Sequence, residues 1–293
     1  MKPAKFEFHA ARSPEEAVTL LDRYDGDARI LAGGQSLVPL MNFRVLQPRA
    51  LVSINHCPEL NYIRQEDNYI TVGALCRQID AEQSSLVQSR CPLLAAALPW
   101  VGGVANRNRG TVCGSLAHAD PLAEIPAVAM ALDAQFNIRG ARGLRTIPAG
   151  KFFVSDLTTA IGPGEMLESV KFPTASPNSG AAFVEVGNRA HGFAVVGVAA
   201  YLEVDNEGKC TLARLAAIGV GSTPVRLRIA EAVVERANNI DCALNDVANC
   251  SGDRLEPAGG FHADAEYKKE VVGVLVVRAI KKAYASYKIR SGH

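Results

Sequence analysis

The stretch Asn106-Arg107-Asn108-Arg109-Gly110-Thr111-Val112-Cys113-Gly114-Ser115-Leu116-Ala117-His118-Ala119-Asp120-Pro121 limits this chain more than any other. Small residues, hydroxyls and amides crowd together in it, with almost nothing bulky between Asn106 and Ser115. It offers too little side chain to bury as an ordinary strand or helix, so a loop is expected. Such a loop brings successive backbone N–H groups close to an anion. A second stretch of the same kind, Ala32-Gly33-Gly34-Gln35-Ser36-Leu37, follows the apolar, strand-like Arg29-Ile30-Leu31. Two Gly/Ser loops facing one pyrophosphate would make a dinucleotide site, although either loop alone could equally be a tight turn.

The rest of the chain narrows the partners. At 293 residues the length suits two domains or one large one. With 31 Lys and Arg against 30 Asp and Glu, scattered rather than clustered, no large electrostatic partner is expected, and nucleic acid is disfavoured. No run approaches the roughly eighteen uninterrupted apolar residues of a spanning helix. The start, Met1-Lys2-Pro3-Ala4-Lys5-Phe6, lacks the apolar core of a signal peptide, so a cytoplasmic protein is expected. The seven cysteines are far apart, with no C-x-x-C, which disfavours both disulfides and iron–sulfur ligation. The histidines show no zinc-ligand spacing.

In chain order, Phe6-Glu7-Phe8 reads as a strand. Ser13-Pro14-Glu15-Glu16 opens a helix with a capping residue, Pro at the first position and Glu three residues after the cap. Ala17, Leu20, Leu21 and Tyr24 give that helix an apolar face, and Gly26 stops it. Arg29–Leu31 and Leu51–Ile54 are strands around a short helix at Val38–Met41, which makes a β-α-β-β lobe. Tyr69–Ala74, Gln135–Arg139 and Met166–Lys171 read as strands; Gln78–Ser85, Leu93–Leu98 and Glu124–Leu132 read as helices. Pro173–Gly180 is the expected linker. Beyond it come strands at Ala182–Val186, Ala194–Val204 and Cys210–Gly219, with a hairpin turn at Asn206–Gly208, and helices at Val225–Ala237 and Ala265–Tyr287. The fold class is α+β.

Several other residues invite a chemical role. Ile218-Gly219-Val220-Gly221-Ser222-Thr223-Pro224 lacks the third glycine of a dinucleotide fingerprint and reads instead as a strand-to-helix turn begun by Pro224. His118, Asp120 and Glu124 could be a metal cluster or an acid–base pair. No third strong ligand lies nearby, so acceptor roles for the two carboxylates fit better, with His118 packed under the loop. Cys113 reads as a small buried residue rather than a redox thiol. No Ser-His-Asp arrangement is visible, and no catalytic or metal-binding residue is assigned.

Gly33-Gly34-Gln35-Ser36-Leu37 and Asn108–Pro121 together resemble the two FAD loops in the medium subunits of molybdenum hydroxylases, the xanthine dehydrogenase and carbon monoxide dehydrogenase family. Gly164-Glu165-Met166-Leu167, Ile218–Arg226 and Asp264-Ala265-Glu266-Tyr267-Lys268 fit the same family in the same order. The resemblance implies a two-lobed FAD-binding domain of the vanillyl-alcohol-oxidase (PCMH) type over 1–175, with lobes of about 1–56 and 57–175. It also implies a C-terminal domain over 176–293, an antiparallel sheet with helices. It puts the pyrophosphate of a non-covalent FAD between Ala32–Ser36 and Thr111–Ser115. Glu124 would lie near the adenosine ribose, Leu167 and Val101 would line the adenine or flavin pocket, and Phe193 would lie beside the isoalloxazine ring, flanking its edge together with its neighbours Arg189 to Gly192. By the same resemblance, Arg29, Leu37, Gly110, Ala119 and Asp120 join the cofactor set. Cys113 stands where glycine is commoner, and Val184 where animal relatives have a lysine.

The function so implied is electron transfer in a heterotrimer, expected as a dimer of heterotrimers. A small subunit with two [2Fe-2S] clusters would pass electrons to this chain's FAD, and a large subunit would hold molybdopterin. Two other readings stay open: a self-sufficient flavin oxidoreductase of the same fold, and a flavin-free scaffold subunit.

Overall fold

The computed structural model describes residues 1–189, 192–260 and 263–291. Its first lobe is a three-stranded parallel sheet, with Ala50–Ser53 in the middle, flanked by Glu7–Ala10 and Ala28–Leu31. All four residues of the middle strand are buried, as expected for a parallel strand covered on both faces. The helix Pro14–Asp22 packs here through Ala17, Val18, Leu20 and Leu21. It starts where expected, with the Ser13 hydroxyl accepting from Glu16 N at 3.1 Å. Such a cap contributes about 1 kcal/mol. The loop after Ala28–Leu31 thus leaves the carboxyl end of a parallel strand, where α/β sheets present their ligand-binding loops.

The second lobe is a five-stranded antiparallel sheet. Its spatial order is Ile63–Glu66, Tyr69–Gly73, Met166–Pro173, Gln135–Gly140, Gly143–Pro148. Ile70, Val72, Phe136, Ile138, Val170 and Phe172 are wholly buried under short helices. Phe136 stacks on Phe152 with ring centres 3.7 Å apart. The helix expected over Gln78–Ser85 is broken into Gln78–Gln83 and Ser85–Arg90. Ser84 is extended there and caps the second piece, its hydroxyl accepting from Val87 N at 3.3 Å.

A four-stranded antiparallel sheet follows: Ser179–Gly187, Ala194–Val204, Cys210–Ile218 and Val225–Arg226. Residue alternation sends Ala182, Val184 and Val198 to a core shared with the helices Arg228–Arg236, Ile240–Cys250 and Ala265–Ser291. The opposite face, with Phe183, Ala199, Tyr201 and Ile218, joins the core of the second lobe. One sheet therefore seals two cores, and Trp100 meets Phe183 across the seam at 6.3 Å. Pro224 does not begin a helix as expected. Val225–Arg226 pairs with Ala216–Ala217 instead, and the helix waits until Arg228. Among the described residues no helix is long and apolar enough to cross a membrane.

Candidate functional site

The first glycine loop is shaped by how closely its backbone approaches its neighbours. A Cβ on Gly33 would stand 2.3 Å from Arg109 O and 2.8 Å from Gly110 Cα, so only glycine lets the two loops touch. Gly34 has φ +74°, a conformation that glycine adopts freely and side chains resist. The N–H groups of Gly33, Gly34, Gln35 and Ser36 have no acceptor among the described residues. Four consecutive free amides are costly unless water or a ligand accepts from them, and they suit an anion.

The second stretch departs from expectation. Rather than staying a loop, it winds into the helix Val112–His118 from Val112 onward. Thr111 is the N-cap, and its hydroxyl accepts from Gly114 N at 2.9 Å. Val112 and Leu116 are fully buried against the second sheet and supply the apolar face that the run seemed to lack. Buried Arg107 fixes the approach to it, pairing with Glu82 at 2.6 Å and donating to Gly102 O at 2.8 Å. Cys113 is buried, and its Sγ lies 3.5 Å from Val72 O. Burial pushes its thiol far above the usual range, which accords with a packing role.

Between these walls lies a cleft of about 1000 Å³. The first loop, from Ala32 through Leu37, lines one side. Gly110, Thr111, Cys113, Gly114 and Ser115 line the other. Arg29, Val101, Asp120, Glu124, Leu167 and Phe193 also border it. Ala119 is not among the lining residues; it closes the helix with φ +52° and is only 4% exposed. Sequence reasoning missed the apolar floor from Leu21, Leu46, Ile54, Ile161 and Met166, each indistinguishable from core without the fold. Phe193 is 74% exposed at the rim, beside Arg189 and Gly192. Ala190 and His191, expected to flank the same edge, lie outside the described residues.

The far end of the cleft is acidic. Asp120 accepts from Leu122 N at 2.9 Å. Glu124, the first residue of Glu124–Ala131, is only 7% exposed; burial pushes its carboxyl up to about 7, with Asp120 adding to the shift. Glu185, on the neighbouring strand, is pushed up to about 8 by burial and then by Glu124, and its Oε2 is buried without a partner. His118 is pulled below its ordinary value by burial, against the opposing pull of Asp120. Among the described residues no group of three His, Cys, Asp or Glu could hold a metal ion.

FAD is the group that the fold implies, and these residues fit it. Free amides at the loop contact suit a pyrophosphate, and the apolar floor suits aromatic rings. A carboxyl that burial biases toward its neutral form, at the far end, suits a hydroxyl-bearing sugar. The fold and the cleft together define a flavin-binding subunit.

Comparison with known proteins agrees. Residues 4–175 match the family model for the FAD-binding domain in molybdopterin dehydrogenase, and 181–283 match the CO dehydrogenase flavoprotein C-terminal domain. The chain is 39% identical to the 6-hydroxypseudooxynicotine dehydrogenase complex subunit alpha of Paenarthrobacter nicotinovorans, covering 97% of this chain and 96% of that one. It superposes on a chain of carbon monoxide dehydrogenase from Hydrogenophaga pseudoflava with a TM-score of 0.94 at 35% identity, over 98% and 99% of the two chains. It also superposes on one of quinoline 2-oxidoreductase from Pseudomonas putida 86 with a TM-score of 0.93 at 31% identity, over the same shares. The chain belongs to the FAD-binding medium subunits of the molybdenum hydroxylases.

Proposed function

We propose that this chain holds one FAD non-covalently and serves as the electron-transfer subunit of a cytoplasmic molybdenum hydroxylase. A small subunit would deliver electrons from its [2Fe-2S] clusters, a large subunit would hold molybdopterin, and the assembly would be a dimer of heterotrimers. In this reading 1–175 is the cofactor domain, with lobes 1–56 and 57–175, and 176–293 is the domain that closes it. The observation that carries the reading is the run of four free amides at Gly33–Ser36, on the wall of a cleft of about 1000 Å³. The relatives' names support the division of labour, since they are subunits of dehydrogenase complexes.

FAD, when bound, supplies a ring system that accepts and releases electrons singly or in pairs. The chain's own residues do the rest. The Gly33–Ser36 amides and the first turn after Thr111 would hold the pyrophosphate, mainly through backbone N–H groups. Val101 and Leu167 exclude water from the ring pockets. Asp120 and Glu124 take hydrogen bonds from ribose hydroxyls. Phe193 shields a rim that stays near the surface, where an electron donor can approach. Neither Cys113 nor His118 is assigned as a covalent tether.

Stopped-flow reduction tests the proposal, with one substrate given to the isolated chain and to the reconstituted complex. Fast flavin reduction is expected only in the complex. Fast reduction of the isolated chain would favour the self-sufficient oxidoreductase, and a chain that binds no flavin would be the scaffold.

A further inference from the structure

Behind the two loops runs a chain of polar contacts that includes two residues outside the expected site. Asn55 Nδ2 donates to Leu31 O at 3.2 Å and to Ala32 O at 3.0 Å, holding the entrance of the first loop. Its Oδ1 accepts from Arg77 Nη2 at 2.9 Å. The same guanidinium donates through Nη1 to Arg109 O at 2.6 Å, at the entrance of the second stretch. Arg109 O is also the atom against which Gly33 is pressed. The Arg77 backbone is fixed as well: Arg77 bridges Thr111, and Gln78 N donates to Gly110 O at 2.9 Å. One side chain pair therefore spans from one cleft wall to the other.

The charge on that span has no ion-pair partner among the described residues. Both acceptors of the Arg77 guanidinium are neutral, and it forms no ion pair within the described residues. Half-buried, it sits under the like charge of Arg109, with Asp80 the opposing group. Burying an unpaired cation is unfavourable unless an anion comes to share its surroundings. The pyrophosphate of the proposed cofactor is such an anion.

We propose that Asn55 and Arg77 form a positioning brace for the cofactor's pyrophosphate: the pair sets the gap between Ala32 and Arg109 and places one unpaired positive charge behind the amides. This rests on the FAD reading. Neither residue is assigned direct contact with the cofactor; the brace acts through the loops and through its field. It therefore concerns ligands that carry a pyrophosphate, and it leaves the ring pockets alone.

The test is titration of the full-length, flavin-depleted chain with FAD, ADP and riboflavin. The variants are Arg77→Met, Arg77→Lys and Asn55→Ala, each checked for native circular dichroism. Arg77→Met should weaken FAD and ADP alike, by about tenfold or more, since hydrogen bonds from a charged group are lost. Riboflavin, which has no phosphate, should bind as before. Arg77→Lys keeps the charge but cannot span both acceptors, so it should fall between Met and the parent. The salt dependence of FAD binding should flatten in Arg77→Met and persist in Arg77→Lys. Asn55→Ala combined with Arg77→Met should be no worse than the poorer single variant, because the two belong to one brace. Should Arg77→Met fail to fold, Arg77→Lys and Asn55→Ala carry the same comparison. Folded variants that bind FAD and ADP like the parent, or that lose riboflavin equally, would overturn the brace while leaving the FAD reading intact. A parent chain that binds no FAD would remove both.

Discussion

The two glycine-rich walls of the cleft share a composition but not a physics. The first, Ala32–Ser36, leaves four amides without acceptors among the described residues and holds Gly34 at positive φ. The second satisfies more of itself: Thr111 caps Gly114 N, Ser115 N donates to Thr111 O at 3.2 Å, and a buried helix follows, which leaves only the separated Thr111 and Cys113 amides without an acceptor among the described residues. A segment that folds without completing its own hydrogen bonds is waiting for a ligand. One that completes most of them is chiefly a wall. The contrast assigns the anchoring of an anion chiefly to the first loop and its confinement to the second.

The largest effect should come from Gly33→Ala. Its Cβ would meet backbone atoms at 2.3 and 2.8 Å, which can yield only by parting the loops. FAD affinity should fall by at least about a hundredfold with circular dichroism preserved, because strain of a few kcal/mol separates the walls. Binding within a few-fold of the parent would erase the distinction between the loops.

Next comes Glu124→Gln, which probes the acidic end beyond the second wall. The folded-state carboxyl titrates near 7, above its ordinary value of 4.5, so between those values the folded chain binds more protons than the unfolded one. The stability this group contributes is then fully present below 4.5 and is lost as pH rises through about 7. Denaturant unfolding of the flavin-depleted chain should find Glu124→Gln more stable than the parent at pH 9, by on the order of 2 kcal/mol, and equal to it near pH 4. A difference independent of pH would contradict a buried, protonated carboxyl.

Thr111→Val removes the cap of the second wall. It should cost about 1 kcal/mol of stability in the same unfolding measurement. FAD affinity should change little, since the freed Gly114 amide becomes available to the ligand. A loss of FAD as large as that of Gly33→Ala would mean that the second stretch, not the first, anchors the anion. The smallest effect is expected of His118→Ala, about twofold in FAD affinity by fluorescence titration, because burial disfavours the charged form of this side chain.

The contrast between the walls was only partly legible in the sequence. Both Gly/Ser stretches stood out, and so did the capped helix at Pro14, because capping chemistry is local. The helix Val112–His118 was hidden, because its stability comes from Val112 and Leu116 packing on a sheet whose strands lie far away in sequence. The strand Gly143–Pro148 was missed because it is largely exposed and lacks apolar alternation. The helix Ile240–Cys250 did leave a signal, with Asn239 as cap and Ile240, Ala243, Leu244 and Val247 on one face. Asn55 and Arg77 left none. Twenty-two residues separate them, and only the fold shows that they meet.

The claim that a backbone cradle holds FAD without a covalent bond is tested most directly on the purified full-length chain. Its visible spectrum is recorded, the protein is precipitated with acid, and the colour of pellet and supernatant is compared. The account predicts one flavin per chain, released entirely into the supernatant. A colourless chain that takes up no added FAD, or yellow colour retained in the pellet, would contradict it.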